Sequence, residues 1–213
     1  IRLRLIENKE QLVRIAREVG TRTIDREQFV AQAASFTQER PEINAMTWIG
    51  ADRRPRASYT ARGLSAFELD RSASGEPIAE PDPALKPDAD TFEAARVQRQ
   101  PVYSGPIAGV GGAEVFQIIV PVIDRNALTG ALIVEYSIER LLRYFVPVEI
   151  TNRHSIALYD ERGRALASSV IPMPGHQARP AAIVYDLPLA PAGNGIVLRS
   201  QGFRTSIGLV SNT

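Results

Sequence analysis

Cysteine is absent from this 213-residue chain. That excludes disulfides, thiolate nucleophiles and cysteine-ligated metals, and leaves the compartment open, because a disulfide-free protein can live anywhere. Histidine is confined to His154 and His176. Neither has a His or Cys neighbour at ligand spacing, so no metal site is expected. No run of about 18 or more apolar residues occurs, so no segment of this sequence spans a bilayer. Charge of one sign is not in excess: 25 Lys plus Arg stand against 24 Asp plus Glu, a net +1. That balance gives no bulk attraction to nucleic acid or to a membrane surface. Lysine is scarce, with only Lys9 and Lys86, and the arginine bias is read as lineage, not as a site. The sequence contains no Gly-x-Ser-x-Gly elbow and no paired-carboxylate frame. Gly109, Gly111 and Gly112 do not form a phosphate loop, since neither a helix nor a Lys-Ser/Thr pair follows. No catalytic residue is assigned, and neither a cofactor nor a metal is expected. The chain also lacks an initiating methionine and a signal peptide. It opens mid-pattern at Ile1-Arg2-Leu3 and stops without an obvious terminus at Asn212-Thr213, so it is read as a piece excised from a longer protein.

What is present is an ordinary globular composition, 44% hydrophobic and 23% charged, long enough for one large domain or two small ones. The strongest local signal runs from Glu114 to Ile138. Two apolar, β-branched stretches flank a polar turn at Asp124–Asn126, the pattern of a β-hairpin. Both arms are apolar almost throughout, which predicts strands buried on both faces. Glu135 interrupts the second arm. A carboxylate there needs a partner or a wet cavity, because burying an unpaired charge is costly.

In chain order, residues 1–22 read as an amphipathic helix with Leu5, Leu12 and Val19 at heptad spacing. Such a stripe packs on its own domain or seals a short seam with a second copy. Asp25 and Gln28 form a capping signal for a helix over 26–39, ended by Pro41. Strands follow at 43–49 and 56–60. The connection 61–90 is rich in proline and acid. Its Asp82, Asp88 and Asp90 lack the spacing of a calcium loop, and Asp90 reads as the N-cap of a helix over 91–99. A brief strand at 102–104 precedes the hairpin, and a helix over 138–145 follows it. Near Thr151 a smaller unit begins, with a hairpin at 155–159 and 164–168. Then come a loop containing Pro172, Pro174 and Pro180, strands near 182–187 and 196–200, and an apolar tail at 205–210. Helices with antiparallel strands in this order give the class α+β, with a sheet in each of two units.

The order and its motifs resemble the double Cache sensor domain, the extracytoplasmic PAS-like module of bacterial receptors. The pattern G-x-L-x-x-(Asp/Glu)-x-S-(Leu/Ile) appears as Gly130-Ala131-Leu132-Ile133-Val134-Glu135-Tyr136-Ser137-Ile138. Pro101–Pro106 resembles the strand and loop flanking the family's pocket, and Glu114–Asp124 the strand that pairs next. The resemblance implies N-terminal helices over 1–40, a membrane-distal ligand-binding unit over 41–148 and a membrane-proximal unit over 149–213. It further implies flanking transmembrane helices and a periplasmic position in an inner-membrane receptor, most like a sensor histidine kinase. In members that bind amino acids, the acid at the position of Glu135 takes the ligand's amine. Here Glu stands in place of the commoner Asp, and the Arg-x-Trp-Tyr signature of those members is missing after Arg96.

The expected pocket therefore has Trp48, Tyr59, Tyr103 and Phe116 as its apolar shell and Arg96 and Glu135 as its opposite charges. The bland alternative has Arg96 and Glu135 pairing with each other, or with other residues, to close the sheet. The expected partner is a small molecule, whether a carboxylate, an amino acid or an amine. A ligand-free module that dimerises through the N-terminal helix, or docks a protein, is the competing function.

Overall fold

The computed structural model describes residues 1–61, 85–109, 112–151, 154–169, 180–189 and 191–203. Most of the 61–90 connection with Asp82, the segment with Pro172, Pro174 and His176, and the tail at 205–210 lie outside these residues.

The chain begins with α1 (Arg2–Gly20) and α2 (Arg26–Gln38), then β1 (Ile43–Gly50) and β2 (Pro55–Thr60). The capping box forms as expected: Gln28 N donates to Asp25 Oδ1, and Asp25 N donates to Gln28 Oε1, each at 2.9 Å. Next come α3 (Ala89–Gln98), β3 (Val102–Tyr103) and β4 (Ile107–Ala108). Asp88, not Asp90, caps α3, its carboxylate accepting from Thr91 N at 3.1 Å. The central hairpin is β5 (Glu114–Asp124) and β6 (Ala127–Ser137). Arg125 and Asn126 turn it at φ 45° and 67°, the paired left-handed geometry that matches the twist of flanking strands. The chain continues through α4 (Ile138–Phe145), α5 (Val148–Thr151), β7 (His154–Tyr159), β8 (Ala165–Ser168), β9 (Pro180–Pro188) and β10 (Val197–Phe203). Neither β4, which is two residues long, nor α5, a single turn behind Pro147, has a mark in the sequence.

Two antiparallel sheets result. One runs β2-β1-β6-β5-β3, with β4 also on β5; the other runs β8-β7-β10-β9. The hairpin strands take central places in the larger sheet, which is why both faces of each had to be apolar. One face packs on α1 and α2 through Met46, Ile118, Val120, Leu132, Val134 and Tyr136. The other meets α3 through Ile49, Ile119, Ala131 and Ile133. α4 links the sheets, since its Leu141 and Leu142 share a core with Ile156 and Leu158 of β7.

The heptad stripe is consumed by this packing. Leu5 and Leu12 are 0% exposed and Val19 is 4% exposed, all against the chain's own sheet. A seam for a second copy is therefore not available on that face.

Two residues of the closing motif have structural reasons. Ser137 caps α4, its hydroxyl accepting from Arg140 N at 3.2 Å. Gly130 lies opposite Gly50 where β6 pairs with β1, and a Cβ there would stand 2.2 Å from Ile49 O. Gly130→Ala should therefore force the two central strands apart. A destabilisation of about 1–3 kcal/mol, the usual range for overpacking, is expected in urea denaturation, and a loss below about 0.5 kcal/mol would show that β1 can yield.

Candidate functional site

The sheet separates the residues that the sequence singled out. Trp48, Tyr59, Tyr103 and Phe116 all join the core beneath α1 and α2. Trp48 packs on Phe29 with ring centroids 6.0 Å apart. Phe116 stacks on Tyr136 at 5.0 Å and meets Tyr103 at 6.1 Å. The Tyr103 hydroxyl donates to Leu5 O at 3.2 Å, and burial pushes its pKa above the ordinary phenol range. Strand alternation explains the grouping: residues two apart share a face, so an aromatic shell set by position along the chain landed on the helix side.

Glu135 points the other way, toward α3. Arg96 does not reach it. Arg96 lies exposed on α3 and pairs with Glu93 through Nε at 2.8 Å and through Nη2. That hydrogen bond, more than charge alone, lowers the Glu93 pKa and raises that of Arg96. Of the bland alternatives, pairing with each other is not found among the described residues; each has another partner, Glu93 for Arg96 and Asn44 for Glu135.

A different set surrounds Glu135. Its neighbours in the sheet are Ala45 on β1 and Gln117 on β5. The β1–β6 register shifts between Ile43 and Ala45, and a bulge of this kind re-aims a side chain. Here Asn44 Nδ2 donates to Glu135 Oε1 at 3.0 Å. Gln117, 2% exposed, spans to the chain entering α3: its Oε1 accepts from Asp88 N and its Nε2 donates to Lys86 O, both at 3.0 Å. Thr47 accepts from Leu85 N at 3.0 Å and shares a hydrogen bond with Ser58 at 2.8 Å. Thus Leu85–Asp88 is strapped over this face by side chains, not by strand pairing.

Glu135 is 7% exposed; among the described residues it has a single hydrogen bond, from Asn44, and makes no ion pair. A carboxylate accepts hydrogen bonds at both oxygens, and no described residue donates to the second one. Ala45, its partner on β1, is 3% exposed. Chemically the arrangement offers acceptors to a cationic or hydroxyl-bearing group. The one described histidine, His154, belongs to the other sheet. Gln117 was as legible as Glu135, being a polar residue within the apolar run Glu114–Asp124. Asn44 was not, because the bulge that turns it inward has no local sequence mark.

No protein-family model matches the chain, and no curated protein matches it. Solved structures do. The ligand-binding domain of the Pseudomonas fluorescens chemoreceptor CtaA, in complex with L-serine, superposes with a TM-score of 0.57 at 11% identity, over 93% of this chain and 88% of that one. Methyl-accepting Chemotaxis protein X gives 0.56 at 13% identity, over 94% and 92% of the two chains. The extracellular domain of mmHK1S-Z2, named as a histidine kinase, gives 0.57 at 11%, over 94% and 90%. At such identities the likeness speaks for the fold. The α+β architecture of a leading helix and two antiparallel sheets is thus shared with these solved domains.

Proposed function

We propose that this chain is the extracytoplasmic sensing domain of a transmembrane receptor, of the histidine-kinase type. Its six-stranded unit is membrane-distal and takes a small molecule bearing a protonated amine against β6. The observation that carries this reading is the Glu135 carboxylate, buried beside Ala45 with one neutral hydrogen bond from Asn44. Burying an anion without a counter-charge is costly, and a ligand ammonium would supply that charge at the second oxygen. Binding shifts a receptor only by the ligand's differential affinity for its two states, so the closed form is the one in which the strap at Leu85–Asp88 and Glu135 both meet the ligand. The fold shared with a domain solved with L-serine supports a small-molecule role. The competing dimerisation module loses its motive, since its seam is spent on the chain's own core.

A thermal-shift series with putrescine, ethanolamine, L-serine, γ-aminobutyrate and succinate tests the reading. A ligand at a hundredfold its Kd stabilises by about 2.7 kcal/mol, a rise of about 5–11 °C for a domain of this size. At least one amine should give such a rise, and Glu135→Gln should abolish it while leaving the unliganded melt near wild type. Stabilisation by succinate alone, by no compound, or undiminished in Glu135→Gln would reject the amine site.

A further inference from the structure

A second polar cluster lies on the opposite face of β6, between α1 and the junction of α2 with β1. Glu42 is 0% exposed, as is Asn8, and Arg40 is 4% exposed. Two donors from α1 converge on one oxygen of Glu42: Arg4 Nε and Asn8 Nδ2, each 3.0 Å from Oε1. Arg40 completes the cluster, giving Nε to Asn8 Oδ1 and Nη2 to Gln11 Oε1, both at 2.8 Å. Its guanidinium lies 3.9 Å from the centroid of the Phe36 ring. The backbones join here too, with Ser137 N donating to Glu42 O at 2.8 Å.

Two buried atoms of this cluster have no hydrogen-bond partner: Glu42 Oε2 and the Tyr136 hydroxyl. One is an acceptor and the other a donor. Burial, before any charge effect, holds the Tyr136 pKa well above the phenol range, with Glu42 adding to the rise, so the hydroxyl keeps its proton. It lies against Asn8 without a bond of good geometry. Ile43 is the strand partner of Tyr136, which places Glu42 one residue from the tyrosine's register. The two unmatched groups thus sit on β6 and on the residue just before β1, with Asn8 of α1 touching both.

We propose that α1 has a second seating on the sheet, in which it carries Asn8 aside and the Tyr136 hydroxyl donates to Glu42 Oε2. In the seating described above, α1 is anchored to a single carboxylate oxygen and a donor and an acceptor stay unpaired. In the second, both are paired and the helix stands displaced against β6. Packed elements with two discrete hydrogen-bonding arrangements are bistable, not continuously deformable. The device stands independently of what binds beside Glu135, although Glu135 and Tyr136 are consecutive residues on opposite faces of one strand.

Two tyrosines at the same interface test it with opposite signs. Tyr136→Phe deletes a hydroxyl that is unmatched in the present seating and needed for the second. Its melting midpoint should rise by about 2–4 °C, and amide exchange over residues 5–12 of α1 should slow as the second seating is lost. Tyr103→Phe deletes a hydroxyl bonded to Leu5 O and should lower the midpoint by a similar amount. A midpoint for Tyr136→Phe that is unchanged or lowered overturns the unmatched hydroxyl. A raised midpoint with α1 exchange equal to wild type overturns the second seating.

Discussion

Leu12→Ala should cost the folded chain about 2–5 kcal/mol, the range for a leucine truncated in a packed core. The midpoint should fall by about 4–20 °C at the sensitivity of a chain this long. The reason is the environment: Leu12 is 0% exposed, in one core with Leu5, Ile15, Ala16 and the sheet residues Val120 and Val122. At its C-terminal end α1 approaches β5 so closely that a Cβ on Gly20 would stand 2.6 Å from Ile123 O. A helix pressed this near has little freedom to refill a cavity. The loss should be the same at micromolar and submicromolar protein, because the lost contacts lie within one chain. Leu3→Ala, at a site 75% exposed on the same helix, should change nothing measurable. If Leu12→Ala melts like wild type yet sediments with a smaller mass, the stripe is an intermolecular seam and the packing described here is wrong.

The sequence carried the secondary structure well because the signals were local. Asp25 with Gln28 and the turn at Asp124–Asn126 each specify a boundary by their own side-chain chemistry. Heptad spacing at Leu5, Leu12 and Val19 was visible too, but spacing cannot say whether the partner is another helix or a sheet of the same chain. The site was harder for a related reason. Strand alternation assigns a residue to a face only after the sheet order is known. Trp48, Tyr59, Tyr103 and Phe116 looked like a pocket shell because they are aromatic and near one another in the order of strands. Counting in twos from Ile133, which faces α3, puts Glu135 and Gln117 on one side and these four on the other. The bulge at Ile43 and Ala45, which turns Asn44 onto Glu135, is a property of the β1–β6 pairing and has no counterpart in either strand alone.

Glu42→Ala should be the most damaging single change to a polar residue, at about 3–5 kcal/mol, because removing one member of a buried ionic set leaves the others uncompensated. The members differ in their means of escape. Arg4 retains 24% of its side-chain exposure and can turn its guanidinium to water. Asn8 is wholly buried and is held by Arg40 on its other side, so its amide N–H would be stranded. Glu42→Gln separates charge from hydrogen bonding. It keeps an oxygen for Arg4 and Asn8 and replaces the unpaired carboxylate oxygen with an uncharged amide. Its cost should fall to about 0.5–1.5 kcal/mol, the difference between charged and neutral acceptors. Urea denaturation at constant m-value should therefore rank wild type above Glu42→Gln and Glu42→Ala well below both. Equal losses for the two variants would mean that the charge, not the hydrogen-bond geometry, holds α1 to the sheet. A Glu42→Ala loss under about 1 kcal/mol, the scale of a surface ion pair, would mean that the helix is seated by Leu5, Leu12 and Val19 alone.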